Sequence, residues 1–217
     1  MTAHRPRTSS PRGAVTPGGR GRFPGYDVVS QSSSWDDVTA ATVLARLQVA
    51  GPPVFFTAAE ERAARPLFDR LLAQDEEPRI PVFEMVDARL AANQTDGWRH
   101  EDLPEDRQVW RQSLAALDTC AVKDQGELFG RLGRDDQLGL LEAVRTGDHR
   151  WQGLPAPHLW NLWVRYACTA FYAHPWSWNE IGFGGPAYPR GYKNLGVNRR
   201  EPWEVADADG GDPLRGS

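Results

Sequence analysis

Cysteine is scarce in this chain of 217 residues: only Cys120 and Cys168 occur, with no second Cys or His at ligand spacing beside either. That excludes a cysteine-based zinc site and the C-x-x-C-H attachment of a c-type haem. Each falls in a predicted helix, where a lone cysteine packs as a small apolar residue, and we read them as two free, buried thiols; a disulfide between them stays open, since spacing in the sequence does not fix their distance. The five histidines, at 4, 100, 149, 158 and 174, show neither H-E-x-x-H nor H-x-x-E-H spacing, so a metal centre has no motif to rest on. No apolar run of the roughly 18 residues needed to span a bilayer occurs, which excludes an ordinary transmembrane helix. Dominance of one charge sign is also missing. With 25 Lys and Arg against 29 Asp and Glu, the net charge of −4 indicates no nucleic-acid surface and no disordered acidic protein. Internal repeats, βαβ units and sustained apolar/polar alternation are absent, so sheet architectures are not indicated.

What the chain has is helical punctuation. Asp36 and Asp37 open a first helix with Val43, Leu44 and Leu47 as its apolar face. After Gly51-Pro52-Pro53, Thr57 and Glu60 form a capping box with Phe56 before it as a staple, and Ala64, Leu67, Phe68, Leu71 and Leu72 supply a buried stripe that Pro66 is expected to kink or divide. Pro81 opens a third helix with Val82, Val86 and Leu90 inward and Asp87 on the polar side. Pro104-Glu105-Asp106 starts a fourth, carrying Trp110, Leu114, Leu117 and Ala121. Leu138, Leu141 and Val144 mark a fifth, ended at Gly147. From Pro157 a helix that is apolar nearly all round, with Arg165 its one permanent charge, is expected to lie at the centre.

The fold class that follows is all-α: a single irregular helical domain over residues 23–204, ending in a long loop rich in Pro, Gly and aromatics. Residues 1–22, with five Arg and no acid, are expected to be a flexible basic tail, and 205–217 a disordered acidic one. No apolar stretch follows the N-terminal arginines and no adjacent Arg pair stands among them, so neither a Sec nor a twin-arginine signal is read there.

The loop reads FYAHPWSWNEIGFGGPAYPRGY, from Phe171 to Tyr192, with three Pro, four Gly and seven aromatics. That mixture predicts neither regular helix nor strand, and its aromatic content argues against disorder. Gly182-Phe183-Gly184-Gly185 lacks the Lys-Ser/Thr of a phosphate loop and follows a helix rather than a strand, so these glycines, with Pro175, Pro186 and Pro189, are read as shaping tight turns. His174 is read as a C-terminal cap whose imidazole bonds to a carbonyl, and Glu180 with Arg190 as a pair tying the loop together. No nucleophile elbow surrounds Ser34, Ser113 or Ser177, and no second acid stands beside Glu180. We therefore assign no catalytic, cofactor-binding or metal-binding residue. Trp178, Phe183, Tyr188, Arg190 and Tyr192 have the composition of interface anchors. Two other readings stay open: a small-ligand pocket or enzyme built on His174, Glu180 and Arg190, and a loop that merely closes its own core.

The same stretch, with Leu195-Gly196 and Arg200-Glu201-Pro202-Trp203-Glu204 after it, resembles the C-terminal signature of the gluconate 2-dehydrogenase subunit 3 family. FFTAAE at 55–60, ARL at 88–90 and TDGWRHEDLPEDRQVWRQSLAALD at 95–118 resemble the family in the same order. The resemblance implies a small accessory subunit of a large FAD-dependent dehydrogenase of the glucose-methanol-choline type, acting on a sugar or a sugar acid such as gluconate. FAD and the catalytic His are expected in that partner and no cofactor in this chain. In related complexes a multihaem cytochrome subunit passes electrons onward. Small subunits of this kind often carry a twin-arginine signal; none being read here, the expected location is the cytoplasm, or export through a signal on the partner.

Overall fold

A computed structural model describes residues 23, 25–48, 51–196 and 199–205. The basic stretch 1–22 and the acidic stretch from 206 onward lie outside the described residues. Those described are mainly helical, as the periodicity predicts, and gather into two compact units. One is formed by the chain up to Gln48, residues 76–80 and everything from Tyr172; the other by 49–75 and 81–171.

The second unit is a helical body. It contains α2 (Ala58–Leu71), α3 (Val82–Ala91), α4 (Asp106–Gln125), α5 (Arg134–Arg145) and α6 (Ala156–Ala173, up to Phe171). α2 starts where Thr57 Oγ1 accepts from Glu60 N while a Glu60 carboxylate oxygen accepts from Thr57 N, the reciprocal cap expected from their spacing. It packs on α3, α4 and α5. The α2 face it packs with (Ala63, Ala64, Leu67, Phe68) is buried, as are Phe83 and Val86 of α3 and Trp110 and Leu114 of α4, and Phe68 meets Trp110 directly. Burying each Leu or Phe contributes about 1.5–3 kcal/mol. Trp110 is the hub, with ring centroids 5.3 Å from Phe68, 5.7 Å from Tyr166 and 6.0 Å from Phe56.

Pro66 does not divide α2. Proline has no N–H, so the Arg62 carbonyl loses its helical donor, and the chain deals with the gap by packing Gly130 against it. A Cβ at 130 would stand 2.1 Å from that oxygen. Two further expectations are corrected in this unit. α6 is buried along one face only, with Asn161 and Thr169 exposed. Cys120 is buried and Cys168 only half-buried; both are free. A two-residue antiparallel bridge, β1 (Arg150–Trp151) with β2 (Leu154–Pro155), leads into α6.

The other unit contains a 3₁₀ turn (Val28–Ser34), α1 (Asp37–Ala45), a second 3₁₀ turn (Arg46–Gln48) and α7 (Pro175–Ile181). Asp36 Oδ1 caps α1 by accepting from Thr39 N at 3.1 Å. Val28, Trp35, Val43 and Trp178 form its core. Leu47, expected inward, lies beyond the end of α1 and is exposed.

Candidate functional site

α7 corrects the expectation that residues 171–192 hold no helix. Pro175 sits at the first helical position, where a missing N–H costs nothing, and Gly182 takes the left-handed conformation (φ 69°) that ends the helix; the breakers fall at the two ends. His174 is therefore an N-cap, not a C-cap: its Nδ1 accepts from Trp176 N at 3.2 Å, and its own carbonyl accepts from Ser177 N and Ser177 Oγ. The ring is 1% exposed. Burial, and next to it the Arg46 guanidinium, push its pKa down from 6.5 to about 4, against a smaller opposing effect from a hydrogen bond with the Arg46 main chain. Arg46 itself donates to the Ala173 carbonyl at the end of α6 (2.9 Å) and lies over the Trp178 ring.

Behind α7, Trp178 is buried, donates from Nε1 to the Tyr172 carbonyl (2.6 Å) and meets Phe183 edge-on at 5.3 Å. Asn179, to which sequence reasoning gave no role, accepts from Val28 N at 2.8 Å and so ties α7 to the N-terminal 3₁₀ turn. Gly185 lies where that turn comes closest. Its φ is +77°, and a Cβ there would stand 2.7 Å from Trp35 Cζ2 and 3.0 Å from Val28 Cγ2.

Arg190 is the clasp of the following loop. Its guanidinium donates to Gln31 Oε1 (2.5 Å), the Pro186 carbonyl (2.9 Å) and the Gly184 carbonyl (3.3 Å), and stacks 4.0 Å from the Trp203 ring centre. Gln31 Nε2 donates in turn to the Trp203 carbonyl (2.9 Å), and Tyr26 Oη to the Phe183 carbonyl (3.2 Å). Burial raises the Tyr26 pKa, partly countered by the Arg190 charge. Beyond the loop, the buried Glu201 carboxylate accepts from the main-chain N–H groups of Lys193 and Asn194. Gln31, like Asn179, serves a main-chain group far away in sequence, Glu201 serves two that lie seven and eight residues before it, and no periodicity marks any of the three.

The motif is thus a built platform. The structure gathers Trp178, Gly182, Phe183, Gly184, Gly185, Pro186 and Arg190 around the N-terminal turn, with His174 and Pro175 at the buried start of α7 and Glu180 in its last turn. His174 and Arg190 do not converge on one reacting point: each is committed to main-chain groups at opposite ends of α7, a helix ~10 Å long. Facing outward are Tyr188 (67% exposed), Tyr192 (51%) and Phe183 (41%), with Pro189 exposed beside Tyr188. Phe183 and Tyr192 line a cleft of about 500 Å³.

The helical unit holds a second charged cluster that sequence reasoning also missed. Asp96 receives Arg89 and Arg165, Tyr166 Oη donates to Asp106 Oδ2 (2.6 Å), and Arg165 lies 4.5 Å over the Trp98 ring. Burial, and then the Asp106 carboxylate, raise the Tyr166 pKa strongly, keeping it a neutral donor. These bonds pin the loop 93–105 and border a groove of about 400 Å³ lined by Trp98, Arg99, Glu105 and Arg107. His158 Nδ1 faces Asp102 at 2.7 Å on the surface, with His100 stacked on its ring. Among the described residues no cluster of three or more His, Cys, Asp or Glu could hold a metal ion, and no helix is long and apolar enough to cross a membrane.

In comparison with known proteins, a family described as Gluconate 2-dehydrogenase subunit 3 matches residues 58–185, more than half of the chain. No curated protein and no solved structure matches.

Proposed function

The chain belongs to the gluconate 2-dehydrogenase subunit 3 family, and from that premise we propose that it is the small accessory subunit of a multi-subunit dehydrogenase. It binds, and stabilises or matures, a large flavoprotein of the glucose-methanol-choline type that carries FAD and oxidises a sugar or a sugar acid such as gluconate. A cytochrome subunit is the next carrier for its electrons. The observation that carries this reading is the exposure of Phe183, Tyr188 and Tyr192 on a motif whose Gly182, Gly184, Gly185, Arg190 and Trp178 are engaged inside the chain. Aromatic side chains held rigidly at a surface bury large area on docking with little loss of conformational freedom, the composition enriched at interface cores. Mass action then stabilises the partner, because the small subunit binds its folded form alone.

Co-expression with the large flavoprotein subunit, followed by affinity purification through a tag on this chain, tests the reading. The expected result is co-purification of FAD-loaded flavoprotein and a loss of its soluble yield when this chain is omitted. Normal flavoprotein solubility without this chain, together with failure to co-purify, would overturn it. The pocket reading built on His174, Glu180 and Arg190 has no comparable support, since the first and last of these are used up inside the fold.

A further inference from the structure

The cleft beside the platform joins the last residues matched to the family, Gly182 to Gly184, to residues 192–205, which lie beyond the matched stretch. Its walls are Phe183, Tyr192 and Trp203 on the aromatic side and Arg199, Arg200 and Glu204 on the polar side. It is propped open from within. Arg190 stacks on Trp203, Tyr192 meets the same ring at 5.2 Å, and Gly184 lets the ring lie against the main chain, where a Cβ would stand 2.8 Å from Trp203 Cε3.

Its charge runs against that of the whole protein. In a chain of net charge −4, residues 190–205 carry four basic side chains against two acidic ones. Glu201 is buried on the N–H groups of Lys193 and Asn194, and Glu204, in the cleft wall, accepts from Glu201 N at 2.6 Å, so the lining sets Arg199 and Arg200 against the single carboxylate of Glu204. Lys193, Arg199 and Arg200 are exposed, and Arg200 is also engaged within the chain, donating to the Val205 carbonyl at 3.3 Å. The cleft therefore offers an apolar aromatic wall beneath a positive rim. Arg190 covers one face of the Trp203 ring, which disfavours a flat ligand sandwiched on it and leaves the aromatic side of the cleft for an apolar side chain.

We propose that this cleft is the seat of an acidic linear segment of the large subunit, an extended stretch whose carboxylates pair with Arg199 and Arg200 while an apolar side chain enters between Phe183, Tyr192 and Trp203. The proposal rests on the accessory-subunit reading for the identity of the partner. Complementary charge sets encounter rate and register, and the apolar insertion sets residence time.

Two measurements separate this proposal from the reading beneath it. The first titrates the purified full chain with a fluorescein-labelled peptide of Asp and Glu around a central Phe. Binding is expected to weaken at least about tenfold in R199E/R200E, and likewise between about 50 and about 500 mM salt, while a Lys-for-acid peptide does not bind. The single variant R199E, at an exposed side chain, serves if the double variant loses thermal stability. No peptide binding to the wild-type chain, or equal binding by the variants, overturns the cleft. Strong binding only by a chain ended at Val205 assigns the cleft to this chain's own residues 206–217, and a dimer dissociated by R199E/R200E assigns it to a second copy; either overturns the partner. The second measurement repeats co-purification with R199E/R200E. A weakened complex supports the proposal, and an unchanged complex overturns it while leaving the accessory role intact. Peptide binding by a chain that captures no flavoprotein sinks the accessory role and, with it, the assignment to the large subunit.

Discussion

The helical unit and the motif unit are held together by different means. Helices satisfy their own main-chain groups, so in α2 to α6 the side chains are left to pack: Leu67, Phe68, Trp110 and Trp163 are buried for area, and spacing in the sequence is enough to place them. Among the described residues of 174–205 there is one short helix, and the remaining N–H and C=O groups need other partners. Asn179, Gln31, Arg190 and Glu201 provide them across separations of up to 172 residues. One unit is organised by apolar periodicity; the other by polar side chains reaching for backbone. Substitutions should therefore fail differently in the two.

Asp87 is where the helical unit behaves like the motif unit, and it offers the sharpest test. Expected on the polar side of α3, it is in fact 3% exposed, and its carboxylate accepts from Val54 N (2.7 Å), Phe55 N (3.0 Å) and Phe56 N (2.8 Å). Those three donors precede the Thr57 cap and have no helix of their own. Asp87→Ala leaves them without the charge that gathers them and should cost about 4 kcal/mol in urea unfolding; Asp87→Asn, which keeps one acceptor, should cost about half as much. A loss under about 1 kcal/mol for the alanine variant would show that apolar packing alone sets the entry to α2, and the contrast between the units would widen.

Gly185 tests the motif unit's side. A methyl group there meets Trp35 and Val28 at a left-handed φ, so Gly185→Ala combines backbone strain with overpacking and should cost about 3 kcal/mol. Near-UV circular dichroism, which reads the Trp35 environment, should change with it. Gly139, inside α5 with nothing near its would-be Cβ, should respond in the opposite sense, Gly139→Ala stabilising by about 0.5–1 kcal/mol. Equal responses at the two glycines would erase the distinction drawn between the units.

The same distinction explains what could be read in the sequence. The capping box at Thr57 and Glu60, the proline before α3, the start of α4 and the Trp110 stripe are local or periodic signals, and each was legible. The motif was legible as a motif, in its composition and its resemblance. Its geometry was not. Nothing in WNEIG announces that Asn179 will bond to Val28 N, nor does a helical wheel show that Asp87 will face three donors more than 30 residues earlier. By composition Pro175 and Gly182 are breakers of a loop; by their order, proline first and glycine last, they are the two ends of a seven-residue helix.

His174 carries the contrast into pH. Its pKa of about 4 in the fold lies below the ordinary 6.5, so the unfolded chain binds the extra proton first as pH falls. The stability contribution of the neutral, buried ring is thus present above pH 6.5 and is lost as pH drops from there towards 4. Between pH 7 and pH 5 the loss should be about 2 kcal/mol, and His174→Asn, which retains an N-capping side chain, should remove that slope. Parallel urea titrations of both proteins at the two pH values measure it. Identical slopes would place the pH sensitivity elsewhere, and His174 would be reduced to a cap.

The smallest expected effect on stability belongs to Tyr188, and it is the most telling about function. Its ring is 67% exposed, on a loop whose shape is held by Arg190 through the Pro186 and Gly184 carbonyls and by Gln31 behind them. Tyr188→Ser should therefore change unfolding free energy by less than about 0.5 kcal/mol. If the platform docks on a partner, the same substitution should shorten the lifetime of the complex, because a central aromatic commonly contributes about 2 kcal/mol or more at an interface. Trp178→Ala cannot make this separation: that ring is 6% exposed and part of the unit's own core, so its loss would weaken folding and docking together. A dissociation rate raised by roughly tenfold or more in Tyr188→Ser, with an unchanged melting temperature, would assign the outward aromatics to the partner. An unchanged rate would mean that the loop closes its own unit and that partner contacts lie on another face.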